Sequence, residues 1–236
     1  RLKSTCKTTY QSSDSIVEKS VFAYDTERPY NIISKSSLCS GGAEQVERTY
    51  YSNNTIPDKE SLTTSQRSAI QLLTSRNYLT TPVQQTMEKK DKRLYSVLRG
   101  YSSSLSSGMV VEDQYYCKGT DKYEKRISYN KYDIYGNPVY INKDGAEKVV
   151  YLWGYKGQYL LAEIKGATYD EVKKALMVDP ASMSSCILPS MPLYLDMIDN
   201  LYKALPSALI TSYTYHPLIG ISGIISPNKA KTTFEY

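Results

Sequence analysis

The sequence predicts a mainly β protein, an antiparallel meander with about three helices packed on it. Three observations predict this. Short runs rich in Val, Ile, Thr and Tyr recur along the chain, cut apart by clusters of Gly, Pro, Asn, Asp and Ser. A few windows instead space their apolar residues three and four apart, as one face of a helix requires. The aromatic content is skewed, with 24 Tyr against 2 Phe and 1 Trp. Tyr suits a pleated surface, because its ring packs while its hydroxyl reaches water.

In chain order, four strands are expected first, at Leu2 to Tyr10, Val17 to Tyr24, Tyr30 to Leu38 and Gln45 to Tyr51. Turn-rich patches at Ser12-Ser13-Asp14, Thr26-Glu27-Arg28-Pro29 and Ser40-Gly41-Gly42 separate them. From about 61 to 79, Leu62, Ala69, Ile70 and Leu73 fall on one helical face, which reads as a helix packed on its own sheet. Strands resume at Val83 to Met87, Arg93 to Tyr101 and Met109 to Cys117, with the serine run 102–108 as a loop, and continue at Glu124 to Tyr132.

The stretch from Tyr132 to Trp153 reads as strand, turn, strand, turn, strand. Gly136 and Gly145 accept positive φ, and Pro138 cannot donate to a ladder, so both breaks lie outside strand interiors. After a strand at Gln158 to Lys165, Thr168-Tyr169-Asp170-Glu171 fits a capping box that opens a helix over about 169–178, stopped by Asp179-Pro180. A second helix, about 192–205, carries Tyr194, Met197, Ile198, Leu201 and Leu205 on one stripe. Strands at Leu209 to Tyr215, Ile219 to Ile225 and Thr232 to Tyr236 close the series.

Tyr132-Asp133-x-x-Gly136-Asn137, followed by Asp144-Gly145, resembles the tyrosine-aspartate (YD) repeat of RHS-type proteins, which are large bacterial surface and toxin-carrying chains. The extension through Tyr151-Leu152-Trp153-Gly154-Tyr155-Lys156-Gly157-Gln158-Tyr159 and Ala162-Glu163-Ile164 is similar to the form found in Bacteroidetes. The resemblance covers roughly 128–236. It implies a curved sheet of YD-type hairpins, a secreted or cell-surface location, neighbouring repeats of the same chain as partners, and in some members a shell around a C-terminal toxin. Two segments follow: 1–127, β-rich with one helix, and 128–236, the repeat segment with its inserted helices. Tyr24-Asp25 is a second YD pair without the expected glycine, and reads as a degenerate repeat or a coincidence. The chain starts at Arg1 and stops at Tyr236 inside an expected strand, which reads as a piece of a longer protein.

Composition narrows the function classes. The net charge of +5 is spread along the chain, and the dense run Glu88-Lys89-Lys90-Asp91-Lys92-Arg93 mixes signs, which argues against a nucleic-acid groove. No apolar run approaches the ~20 residues a membrane-spanning helix needs. Cys6, Cys39, Cys117 and Cys186 form no CxxC pair, and His216 is the single histidine, so no metal or cofactor is expected. Distant disulfides and free thiols both remain open.

His216 precedes Pro217 and reads as structural, and no nucleophile-base motif is present. The chain therefore reads as non-enzymatic. Asp133 and Asp144 stand beside turns, where carboxylates bond local N–H groups. Two readings remain. One is a structural section of an RHS-like chain. The other is a glycan- or protein-binding surface centred on Tyr151, Trp153, Tyr155 and Tyr159, with core packing favoured for Trp153.

Overall fold

The computed structural model describes residues 1–11, 14–38, 42–105, 108–185, 191–216 and 218–236. The Ser12-Ser13 and Ser40-Gly41 turns, Cys39, Cys186, Pro217 and the side chain of Tyr194 lie outside the described residues.

Among the described residues, fourteen antiparallel strands form one meander whose strand order is the chain order. They are β1 (Ser4–Gln11), β2 (Asp14–Tyr24), β3 (Ile32–Leu38), β4 (Glu44–Tyr51), β5 (Pro82–Lys89), β6 (Lys92–Ser102), β7 (Val110–Lys118), β8 (Glu124–Tyr132), β9 (Pro138–Lys143), β10 (Glu147–Gly154), β11 (Tyr159–Lys165), β12 (Leu209–His216), β13 (Gly220–Ile225) and β14 (Lys231–Thr233). Three helices interrupt them: α1 (Thr64–Ser75), α2 (Tyr169–Leu176) and α3 (Met191–Ala204). The mainly β class with about three helices is as the sequence predicts. Helix α1 is shorter than expected, and a separate 3-10 turn at Lys59–Ser61 takes up part of the difference. A second 3-10 turn, Pro180–Ser185, was not foreseen. The last strand ends at Thr233, short of the expected Tyr236.

The chain divides into two compact units, one of residues 1–101 with 113–125 and the other of 102–112 with 126–236. In the first, α1 begins with a capping box in which Thr63 Oγ1 accepts the Gln66 N–H and Gln66 Oε1 accepts the Thr63 N–H. Gln66, Ala69, Ile70 and Leu73 form its buried face. A Cβ on Gly100 of β6 would meet the Gln66 side chain at 2.4 Å, so only glycine allows this close approach. By contrast, every side chain of β1 from Ser4 to Tyr10 is exposed.

In the second unit, Val150 and Leu152 of β10, Ala162 and Ile164 of β11 and Ile210 of β12 meet Val172 of α2 and Ile198 and Leu201 of α3 in one apolar cluster. Full burial of each such side chain stabilises by about 1.5–3 kcal/mol. Helix α2 carries the expected capping box between Thr168 and Glu171 and ends where Met177 turns left-handed at φ 57°.

Candidate functional site

The YD turn joins β8 to β9. Asp133 is 2% exposed and its carboxylate organises the turn. Oδ1 accepts the N–H groups of Tyr135 (2.9 Å) and Asn137 (2.8 Å), and Oδ2 accepts the Asn137 amide (3.0 Å). The Asp133 N–H closes the loop on the Asn137 carbonyl at 3.0 Å. Gly136 sits at φ +85°, a conformation open to glycine without strain.

Three further bonds tie this turn to its surroundings. Asn137 Nδ2 also donates to the Gly157 carbonyl in the β10–β11 turn at 2.9 Å. Trp153 Nε1 donates to the Pro138 carbonyl at 2.8 Å, and the Tyr132 hydroxyl donates to the Val111 carbonyl. Asp144 and Gly145 form the β9–β10 turn with φ 48° and 72°, and Arg126 pairs with Asp144 at 3.0 Å. The six residues of β9 separate the two aspartates by about 20 Å at strand rise. They are not a carboxylate pair of the kind that cleaves glycosides, which needs ~5–9.5 Å.

The four aromatics do not gather. Because Val150 and Leu152 enter the helix-covered core, Tyr151 and Trp153 project to the opposite face, where both are half-buried. The Tyr151 phenol is pushed up to about 12, chiefly by burial and secondly by the Glu163 carboxylate. Tyr155 packs against the core cluster and meets Tyr159 edge-on at 5.0 Å, and Tyr159 meets Tyr215 at 4.6 Å. The Trp153 indole is half-buried, with its N–H committed to the Pro138 carbonyl.

What does recur is the aromatic donor at the end of a strand. Tyr24 of β2 donates to the Leu2 carbonyl (2.7 Å), Tyr51 of β4 to Ile32 (3.0 Å) and Tyr101 of β6 to Pro82 (2.8 Å). Tyr132 of β8 and Trp153 of β10 do the same, followed by Tyr215 of β12 to Leu160 (2.8 Å) and Tyr236 to Ile221 (3.1 Å). Each acceptor lies at or near the start of the preceding strand, so one aromatic side chain ties each of these strand pairs together, β11 and β12 included, although α2 and α3 lie between them in sequence. Strand register shifts beside Tyr24, Tyr51, Tyr132, Trp153 and Tyr215, where the following strand pairs. In each case the extra residue belongs to the following strand, opposite the aromatic. No family model matches this chain, and no curated protein matches it.

The Tyr24-Asp25 turn is wired in a related way, with the Asn31 N–H on the Arg28 carbonyl rather than on the aspartate. Asp25 Oδ1 accepts the N–H groups of Glu27 and Arg28, and the Asp25 N–H donates to the Asn31 carbonyl at 3.0 Å. Asn31 Nδ2 reaches the Leu79 carbonyl just before β5, as Asn137 reaches Gly157 just before β11. The signal available in the sequence was an aromatic followed by a short residue at strand ends: Tyr24-Asp25, Tyr51-Ser52, Tyr101-Ser102, Tyr132-Asp133 and Trp153-Gly154.

A second polar cluster, in the first unit, has no such signal. Asp58 Oδ2 accepts from Gln84 Nε2, Arg93 Nη1 (2.7 Å) and Tyr123 Oη (2.9 Å), and Tyr123 Oη lies 2.7 Å from Ser96 Oγ. Burial and the hydrogen bond to Asp58 push the Tyr123 phenol well up, and Arg93 neutralises Asp58. Ser96 therefore has no base beside it, and the cluster binds β5 and β6 to the 3-10 turn. His216 is exposed at the end of β12. Cys6 is an exposed thiol and Cys117 a buried one. Among the described residues, no group of three or more His, Cys, Asp or Glu is placed to hold a metal, and no helix is long and apolar enough to cross a membrane.

Proposed function

We propose that the chain is a structural, non-enzymatic section of a large RHS-like surface or secreted protein, in which closed hairpins add strand to strand to build a repeat sheet. Its partners in this reading are neighbouring repeats of the same chain, and the sheet belongs to a shell of the kind that encloses a toxin. The observation that carries the reading is the repeated aromatic-to-carbonyl closure, from Tyr24 to Tyr236, with the YD wiring present twice. A strand-by-strand device that recurs without a shared pocket is what a repeat architecture needs, since each unit buries its edge against the next.

The alternative, a tyrosine-rich surface holding a glycan or a protein, has less support. Tyr151 and Trp153 share one face, but Tyr155 packs on the core, and the Trp153 N–H is already bonded.

The test is to read the coding frame on both sides of this chain. Further hairpins ending in Tyr or Trp followed by Asp or Ser, leading to a dissimilar C-terminal segment, are the expected result. Repeats that stop within one or two units would overturn the shell.

A further inference from the structure

The meander puts the β8–β9, β10–β11 and β12–β13 turns of the second unit at one end of its sheet and the β9–β10 and β13–β14 turns at the other. The two ends differ in chemistry. The second carries Asp144, Glu147, Lys148, Asn228 and Lys229, all exposed, as turns in water usually do, with Leu209 an exposed exception. The first exposes aliphatic side chains instead. Ile134 is 64% exposed, Leu218 99% and Ile219 62%, with exposed Tyr135 beside the first of them and exposed Tyr236 close to Gly220.

This apolar rim is held in place. Asn137 Nδ2 ties the first turn to the Gly157 carbonyl of the second at 2.9 Å, and an added Cβ on Gly157 would meet the Tyr135 ring at 2.9 Å. In the third turn the His216 carbonyl accepts the Ile219 N–H at 3.0 Å, and Tyr236 Oη donates to the Ile221 carbonyl at 3.1 Å. Leu218 is the third residue of that turn and sits at φ 67°, a conformation that turns ordinarily give to glycine or asparagine. A leucine kept there at a cost in backbone strain, with its side chain in water, is an outlier that the folding of this sheet does not require.

Three features select what covers the rim. Successive turns at one end stand two strands, about 10 Å, apart, so the aliphatic tips are separate points in a row and form no groove for a folded partner or a peptide. A fluid surface receives such points without matching their shape. Tyrosines beside the tips suit a headgroup layer, where a ring meets apolar surroundings and its hydroxyl polar ones. The charges agree as well: Asp133 is spent on its own turn and Asp179 on Lys173, while Lys131 and Lys156 are exposed and in no ion pair among the described residues, against exposed Glu235. We propose that this rim docks on a lipid bilayer carrying anionic headgroups, with Leu218, Ile219 and Ile134 at the boundary of headgroups and acyl chains and Lys131 and Lys156 facing lipid phosphates.

The experiment is co-sedimentation of the full chain with unilamellar vesicles of phosphatidylcholine, alone and mixed with phosphatidylglycerol, over rising lipid concentration. Saturable binding is expected with phosphatidylglycerol, and weaker binding without it. Leu218→Asn supplies a residue that tolerates positive φ and so spares the turn; it should weaken binding about tenfold, the partial burial of one leucyl side chain. Lys156→Asn should remove about fivefold of the gain from phosphatidylglycerol. Leu209→Asn, at the opposite end of the same sheet, should leave binding unchanged. No binding to either vesicle, binding that ignores Leu218→Asn, or an equal loss with Leu209→Asn would each overturn the proposal. Self-association of the chain relieved by Leu218→Asn, with no vesicle binding, would overturn it too and assign the rim to a second copy.

Discussion

The turns at Tyr24-Asp25 and Tyr132-Asp133 share a backbone closure and an asparagine bridge but are built from different sequences. In the first, the aspartate and the bridging asparagine are Asp25 and Asn31. In the second they are Asp133 and Asn137, two residues closer. The shorter turn needs Gly136 at φ +85°, while the longer one has no residue of positive φ between Asp25 and Asn31 and bonds Asp25 to the N–H groups of Glu27 and Arg28. What the two share is a phenol, a carboxylate and an amide. The glycine belongs to one turn length and not to the repeat.

Burial separates them as well. Asp133 is almost completely covered, whereas Asp25 is partly exposed. Asp133→Ala would strip acceptors from three donors, two of them backbone, and is expected to cost about 3 kcal/mol by urea unfolding. Asp25→Ala should cost clearly less. Equal losses would mean that burial does not set the worth of these turns.

Gly157→Ala comes next. The residue sits at φ +75°, and an added Cβ would meet Asn137 Nδ2 at 2.6 Å, breaking the bridge between turns. A loss of about 1–3 kcal/mol is expected. Asn137→Ala in the same background should then cost less than it does alone, because one of its two side-chain bonds is already gone. Full additivity in that cycle would sink the bridge.

Alkali gives a smaller, graded effect. Burial and Glu163 raise Tyr151 from an ordinary value of 10.0 to about 12 in the folded chain. A group raised in this way favours the folded state fully below pH 10, and that contribution is lost as pH rises from 10 to about 12. The melting temperature should fall over that window, with part of the phenolate absorbance appearing only on unfolding. Reversible ionisation of every tyrosine near pH 10, with the fold intact, would contradict it.

Much of the fold was legible because turn residues punctuate the strands at regular distance, and the Thr168 to Glu171 capping box is a local pattern. The hairpin closures were only half legible. The aromatic at each strand end stands in the sequence, but its acceptor is a backbone carbonyl, which carries no residue identity and can lie as far away as Leu160 from Tyr215. Searching for a glycine after Tyr-Asp set Tyr24-Asp25 aside for a feature that only the shorter turn requires. The Asp58 cluster draws on residues from 58 to 123 with no spacing rule, so nothing short of the fold brings them together.

The most direct measurement is a Tyr→Phe series at the closing positions Tyr24, Tyr51, Tyr101, Tyr132, Tyr215 and Tyr236, set against Tyr95, Tyr116 and Tyr159, whose rings stack but whose hydroxyls donate no hydrogen bond to a described group. Phe keeps the ring and deletes the donor. If the phenols close the hairpins, each of the first group loses about 0.5–1.5 kcal/mol, least where the bond is exposed, at Tyr24, Tyr51 and Tyr236, and the second group stays near zero. Two indistinguishable groups would mean that ring packing alone accounts for the tyrosines, and the repeated closure would fall with it.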